Sequence, residues 1–467
     1  MTKTTFSAAK LAAALAGVLT ATVVAAPVEP GDQHPETIPV AIQRTIAQAR
    51  SALAQGKHAA AAELFEQAAE HGEYVEAEVG EVRARLWAGQ FRHAVAISNV
   101  VAGEHPESAE AQALLAYIED RSGYTAQALQ RLQRERQVHP HETALIAAEA
   151  EILTDRHRAR DAVTQIDQWI SANAPRPDVC RMRARATLVS HVEAGFAVAV
   201  GTPAQPHGPA DLPGAEPPAA ETAAAIACAG MAAGSPMSAA LSGWPEAATN
   251  TPPTGSGVPV VAGNGLIIDG GRRVITLSYR VDSPSASGST SIWVRNARGE
   301  LRQAKVESPP ASAAPSPTIL SLTAPFATDQ SLPPESIAPQ NVRGLCFALG
   351  FPASISMDAM LPAVTPCFAF DPHAADGGLR INIPLSTGER GTPVFDAQGR
   401  LIGLADPSAG SPTKVVRTAK PFTPSTDPRS SQAAPSAARG TQPTIAMPEL
   451  YERLAPSVVQ VITMEQP

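Results

Sequence analysis

The chain has 467 residues, room for two or three domains. Aromatic residues make up only 4% of it, against 44 prolines and 33 glycines, so the residues able to build dense cores must be concentrated in parts of the chain. A net charge of −8 with no long basic run argues against nucleic acid as a partner.

Lys3 and Lys10 precede an apolar stretch from Leu11 to Ala26 that ends in the small residues Val23-Val24-Ala25-Ala26. A charged start, a short apolar run and a small-residue exit are the pattern of an export signal over residues 1–26. Pro27 favours cleavage after Ala25 over Ala26. The run is shorter than the roughly 20 residues of a membrane helix, and an uncleaved anchor is the second reading. No later segment is apolar enough to span, so stable membrane insertion is not expected after cleavage. Export, to a bacterial periplasm or beyond, implies an oxidising compartment. Cys180, Cys228, Cys346 and Cys367 allow three pairings, of which Cys346 with Cys367 is attractive because both fall in one presumed domain. There is no CxxC or Cys/His cluster, so neither a metal nor a cofactor is expected.

Residues 40–195 carry an internal repeat. The segments "ALAQGKHAAAAELFEQA" from Ala52, "LWAGQFRHAVAISNVVAGEHP" from Leu86, "DRSGYTAQALQRLQRERQVHP" from Asp120 and "LTDRHRARDAVTQIDQWISANAP" from Leu153 align on Gly56, Gly89, Gly123 and His157. A small residue follows five positions later each time, at Ala61, Ala94, Ala128 and Ala162. Pro106, Pro140 and Pro175 end three copies. Glycine relieves the backbone at a tight turn, alanine lets a second helix pack closely on the first, and proline stops the unit. The pattern resembles a tetratricopeptide repeat in about four copies, with a trailing helix after Pro177. The resemblance implies an α-solenoid that binds a protein or peptide on a concave face. Arginines gather late, as Arg131, Arg134 and Arg136, then Arg156, Arg158 and Arg160, then Arg181, Arg183 and Arg185. They form either a solvated helix face among Glu135, Asp155 and Asp161 or a basic groove for an acidic peptide.

Residues 196–257 read as a Pro/Ala-rich linker, with a short helix possible over Ala219 to Ala233. From 258 to 406 the chain changes to short strands with regular turns, at Asp269-Gly270-Gly271, Asn296 to Gly299 and Asp396 to Gly399, the pattern of an all-β barrel or sandwich. Four stretches there resemble, in order, the trypsin-like protease family, closest to its bacterial export-compartment branch. "GNGLIIDGGRRVITLSYRV" (263–281) resembles the strand pair that ends in T-N-x-H-V, with Thr276 matching, Leu277 in place of Asn and Tyr279 at the histidine. "SPTILSLTAPF" (316–326) resembles D-L-A-L-L-x-L, with Ser316 at the aspartate. "CFALGFP" from Cys346 resembles the strand ending in glycine, aromatic and proline. "GERGTPVFD" (388–396) resembles G-N-S-G-G-P-V-F-D, with Arg390 at the serine.

The resemblance implies a double barrel of chymotrypsin type and argues against its chemistry. The mechanism needs a hydroxyl nucleophile, an imidazole base and a carboxylate that orients the base. Tyr279 is no base at neutral pH, Ser316 is uncharged, and Arg390 is permanently cationic. Ser386, Thr392 and His373 are nearby substitutes, but the pattern places no base beside a hydroxyl. The resemblance assigns the oxyanion-hole N–H groups to Gly388 and Arg390. The Arg390 side chain there would either receive a carboxylate, such as a peptide C-terminus, or pair with Glu389 and plug the cleft.

Residues 407–446 read as a second linker. In 447–467, a short helix (Pro448 to Leu454) precedes a strand (Ser457 to Thr463). Family members carry an "APSVVQV"-like strand ahead of the glycine-rich pair, and none is found before Gly255. The tail therefore either supplies the missing barrel strand, in cis or from a second copy in a homo-oligomer, or docks elsewhere. The expected protein is multidomain: an exported α-solenoid joined to an all-β pseudoprotease that binds or scaffolds proteins. The rivals are a serine endopeptidase of non-standard constellation and a plain repeat adaptor with a structural β cap.

Overall fold

A computed structural model describes residues 38–72, 74–199, 224, 228, 258–277, 291–307, 316–333, 336–338, 343–352, 361–370, 378–383, 385–407, 412–417 and 446–465. The expected signal (1–26), Tyr279, His373 and most of both linkers lie outside the described residues.

Nine helices come first among the described residues: α1 (Val40–Ala54), α2 (His58–Ala69), α3 (Val75–Trp87), α4 (Phe91–Glu104), α5 (Ala109–Arg121), α6 (Thr125–Val138), α7 (Thr143–Asp155), α8 (Ala159–Ala172) and α9 (Pro177–Ala199). They pair as α1–α2, α3–α4, α5–α6 and α7–α8. The reason is written at each turn. Gly56, Gly89 and Gly123 adopt φ of 72°, 78° and 89°, and the fourth copy puts His157 in the same left-handed region at φ 58°. Ala61, Ala94, Ala128 and Ala162 have no exposed surface, because each lies where the second helix of its pair crosses the first. At the entrance to α5, the Ser108 hydroxyl accepts the Ala111 N–H, a side-chain cap.

Twelve strands follow among the described residues: β1 (Val258–Ile268), β2 (Arg273–Leu277), β3 (Ser291–Asn296), β4 (Leu301–Val306), β5 (Pro317–Leu322), β6 (Gly344–Gly350), β7 (Ala363–Phe370), β8 (Arg380–Ile381), β9 (Pro393–Asp396), β10 (Leu401–Asp406), β11 (Thr413–Val416) and β12 (Val458–Glu465), the last preceded by α10 (Met447–Leu454). They close two six-strand barrels, β1-β12-β3-β4-β5-β2 and β10-β11-β8-β7-β6-β9. The tail strand β12 sits between β1 and β3, pairing Val459 with Gly265 on one side and with Asn296 on the other. Counted as the first strand of its barrel, it gives both barrels one common strand order, 1-2-3-6-5-4. Val458, Val459 and Val461 are fully buried, which is why the tail docks inside the sheet rather than along an edge.

Two features correct the expected layout, and a third, the cysteine pairing, includes the expected Cys346–Cys367 bridge. The all-β region does not stop at 406: β11 pairs with β8 and β10, and Thr413 and Val415 are buried. Its four residues are short and flanked by Pro/Ser-rich sequence, so composition concealed them. Cysteines form two bridges, Cys346–Cys367 directly across β6 and β7, and Cys180–Cys228, which ties one point of the linker to α9. Finally, helices and barrels are not separate modules. Leu86, Trp87, Phe91 and Tyr117 share one hydrophobic cluster with Leu361, Val364, Phe395, Leu450, Tyr451 and Leu454. No described helix is long and apolar enough to cross a membrane.

Candidate functional site

The loop that resembles a nucleophile loop lies at the seam between the barrels. A single 3₁₀ turn, Thr387–Glu389, precedes it, with the Glu389 N–H donating to Ser386 O at 3.0 Å. Gly391 then turns the chain at φ 81° and donates its N–H to Ala405 O at 2.9 Å, which fastens the loop to β10. A Cβ on Gly391 would lie 2.3 Å from Asn264 O and 3.2 Å from Leu277 N, so only glycine permits this approach to the first barrel. From the other side, Asn264 of β1 donates its N–H to Arg390 O at 2.7 Å. Its fully buried carboxamide bridges Phe351 N and O (3.0 and 2.9 Å) and the Thr392 hydroxyl (2.9 Å).

This seam gathers the neighbours of the three triad-equivalent positions. β2 pairs with β5 so that Leu277 faces Pro317, next to Ser316, and Gly391, next to Arg390, abuts Leu277. Tyr279 follows two residues beyond Leu277, outside the described residues. Ser316 is half-buried at the start of β5. Gly388 is buried in the 3₁₀ turn. Of the substitute hydroxyls, that of Thr392 donates to Glu389 O at 2.6 Å and accepts from Asn264, which engages it in both directions.

Arg390 does not pair with Glu389. Its guanidinium lies 3.1 Å from Asp406 Oδ1, with only 5% and 1% of the two side chains exposed. The loop's bond to Ala405 sets Asp406 beside it, whereas adjacency in sequence suggested Glu389. Glu389 turns the other way, into the helical repeats. Its carboxylate meets His157 Nε2 at 2.5 Å and accepts the Ser386 N–H at 2.9 Å. Burial alone would raise the Glu389 pKa, but the His157 charge and the bonds from His157 and Ser386 outweigh it and hold the group below the ordinary glutamate value.

His157 belongs to a longer contact. The turns between paired helices form an edge that clamps residues 361–366 of the second barrel. Arg121, fully buried between Asp120 and Asp155 at 2.9 Å each, donates to Leu361 O at 3.1 Å and lies over the Tyr117 ring. Arg156 bonds Asp120 and reaches Thr365 Oγ1 at 3.0 Å. From the tail, Tyr451 stacks on Phe91 and donates its hydroxyl to Pro362 O at 2.6 Å, while Glu452 pairs with Arg92. Burial drives the Tyr451 and Tyr117 pKa values well up. Desolvation opposes ionisation of Asp120, yet Arg121 and Arg156 hold its pKa down.

The late arginines divide: Arg134, Arg158 and Arg160 are exposed, Arg158 pairing with Asp161 as a solvated face would, while others are held by acidic partners rather than lining an open basic groove. Arg131 pairs with Glu119, Arg136 with Glu149, Arg183 with Asp167, and Arg185 with Asp155. Among the described residues, one set of donor atoms lies close enough for a cation, on Glu78, Glu104 and His105. There His105 Nε2 bonds Glu78 directly at 2.9 Å, which satisfies both buried groups. Sequence reading gave no role to Asp406, Asp120 or Arg121, and took the buried Asp155 for part of a solvated face. The one signal that pointed to the contact was His157, a side chain where three copies have glycine.

Residues 52–118 match the profile of the tetratricopeptide repeat family, so the helical region carries tetratricopeptide repeats. Among solved structures, the chain is similar to a thermophilic tetratricopeptide repeat protein of Thermus thermophilus, at 22% identity over 34% of this chain and 90% of that one, with a TM-score of 0.29. It is also similar to MamA MSR-1 C2, at 16% identity over 33% of this chain and 91% of that one, with a TM-score of 0.24. No curated protein matches the chain.

Proposed function

We propose that this protein is an exported, non-catalytic scaffold that binds other proteins, in which tetratricopeptide repeats are fused to a trypsin-like double barrel lacking its triad. Protein binding is the general role of such repeats. The two six-strand barrels, with one shared strand order and the seam where residues 277, 317 and 391 meet, fit the trypsin-like architecture. The observation that carries the non-catalytic reading is Arg390, a buried cation paired with Asp406 at the nucleophile's position. It cannot attack a carbonyl. The neighbouring Glu389 is held by a histidine of the repeats, so the cleft is covered as well as altered. Two disulfides accord with an oxidising compartment.

The test is treatment of the signal-free protein with a fluorophosphonate probe and denatured casein, beside an active trypsin-like enzyme. Neither label nor cleavage is expected. Labelling with cleavage, abolished by replacing one serine or threonine, would overturn the reading and identify a working nucleophile. The plain-adaptor reading draws support from the clamp on residues 361–366, since a barrel so held could serve only to cap the repeats. In that case partner capture would survive substitutions across the barrel's outer surface, whereas a binding barrel would lose it.

A further inference from the structure

Among the described residues six large apolar side chains are exposed, and three of them fall in one area. Leu345 (75% exposed) and Phe368 (48%) are directly opposed across β6 and β7. Two positions to either side of Phe368, on the same face of β7, lie the exposed Pro366 and the half-buried Phe370. A Cβ on Gly123 would lie 3.2 Å from the Pro366 ring, and the residue after Gly123 is Tyr124, 56% exposed. Apolar residues exposed singly are ordinary, whereas a contiguous group marks a contact surface. This group continues an interface the chain already uses. On the same outer face of β6 and β7, Phe347, Leu349 and Val364 are buried in the cluster shared by repeats, barrel and α10. The cover ends at Pro366 and the apolar surface does not. Its floor is fixed as well, because the neighbouring Cys346 and Cys367 are bridged on the inner face of the same two strands.

Charge, edge and size define the occupant. Phe370 is opposite Arg380 on β8, and Arg380 is opposite Lys414 on β11, so a cationic row leads off the apolar stripe. The described residues of these four strands and their flanks, 343–350, 361–370, 378–383 and 412–417, contain no Asp or Glu, and Asp371 and Asp376 lie outside the described residues. An apolar stripe beside such a row is matched by apolar side chains bordered by carboxylates. The barrel is closed, so it offers no free edge for strand addition, and recognition goes through side chains. From Pro366 to Phe370 the stripe is roughly 13 Å long. That accommodates a helix with apolar residues at i, i+4 and i+7, which span roughly 10 Å. A second copy meeting the patch with its own patch would supply apolar cover but no carboxylate for Arg380 and Lys414.

We infer that the outer face of β6 and β7 around Leu345, Phe368 and Phe370, with Arg380 and Lys414 beside it, docks an amphipathic helix of a partner protein whose apolar stripe is bordered by Asp or Glu. This rests on the protein-binding reading above and places the contact on the second barrel, outside the faces of the repeats.

A phage-displayed library of amphipathic helical peptides about 16 residues long, with the apolar stripe fixed and the flanking charges randomised, should be panned on the full-length, disulfide-bonded protein. Retained sequences should carry an excess of Asp and Glu over Lys and Arg, and their binding should weaken as salt is raised. Leu345→Thr with Phe368→Thr changes two exposed side chains to one that suits a strand, and should weaken a retained peptide at least about tenfold without lowering the melting temperature. Lys414→Gln should weaken it several-fold and flatten the salt dependence. Peptides bound equally well by all three proteins, or retained without acidic bias, would overturn this surface and leave the protein-binding reading in place. No retained peptide would overturn the surface too. Capture of the same extract proteins by wild type and the double variant would then leave the protein-binding reading standing, and capture by neither would overturn both. A dimer dissolved by the double substitution would overturn the inference in favour of a second copy, and retention by phosphatidylglycerol vesicles alone would do so in favour of an anionic membrane.

Discussion

His157 carries two opposed contributions that substitution separates. A non-glycine residue in the left-handed region costs about 1 kcal/mol relative to glycine. The bond to Glu389, 2.5 Å long with 29% and 13% of the two side chains exposed, is charge-assisted and contributes about 2 kcal/mol. His157→Gly gives up the bond and relieves the backbone, so it should destabilise by about 1 kcal/mol. His157→Ala gives up the bond and keeps the strained turn, so it should destabilise by about 2 kcal/mol. The expected order is wild type, then glycine, then alanine. Denaturant unfolding of the oxidised full chain, followed by tryptophan fluorescence, reads that order directly. A glycine variant more stable than the wild type by about 1 kcal/mol would show that the imidazole contributes nothing to docking. An alanine variant more stable than the glycine one would refute the argument from backbone conformation.

The same contact predicts a pH dependence. Because the folded-state pKa of Glu389 is depressed, its contribution is complete above the ordinary glutamate value of about 4.3 and is lost as pH falls through the folded value. Acid unfolding profiles of wild type and Glu389→Gln should therefore converge at low pH and diverge above it, and parallel profiles would refute the assignment. Asp406→Ala removes the carboxylate paired with the buried Arg390 cation and should cost about 3–5 kcal/mol, measured as a shift in the denaturant midpoint. A shift below about 1 kcal/mol would mean that the pair is effectively solvated. Removing residues 458–467 takes β12 from between β1 and β3 but leaves α10 on the second barrel, so limited proteolysis should cut the first barrel rapidly while the second, β6 to β11, resists. Equal resistance of both barrels would refute an integral tail strand.

The elements written in local chemistry were legible. Repeats announce themselves because the glycine turn and the alanine crossing recur at a fixed interval, and the hairpins because Asp269-Gly270-Gly271, Asn296 to Gly299 and Asp396 to Gly399 permit few other conformations. The tail's helix and strand were legible too, but the sequence left two seats open for them, the missing barrel strand or a dock elsewhere, and only the pairing of β12 with β1 and β3 decides between them. What stayed hidden depends on distant partners. Asp406 sits 16 positions after Arg390, and only the loop's bond to Ala405 brings them together. Asp120 and Arg121 carry no sequence pattern and Asp155 reads as part of a solvated face, yet all three are buried in one ion-pair network that meets residue 361. Strand β11 failed for another reason, being four residues long in sequence of linker composition.

The seat of β12 has a consequence for how the protein is made. In the first barrel, Val258 is paired with Glu465, a contact that no amount of local folding can anticipate. Strands β1 to β5 leave the ribosome by residue 322, yet the sheet has two open edges until the last strand emerges. At about 5–20 residues per second, that wait lasts about 7–30 seconds. Throughout it β1 and β3 offer unpaired N–H and C=O groups to any passing strand, while the second barrel, contiguous from 344 to 416, has all it needs to close. A nascent chain that stalls before residue 458 can thus complete its second barrel but never its first, and its open edges mark it for chaperone or protease.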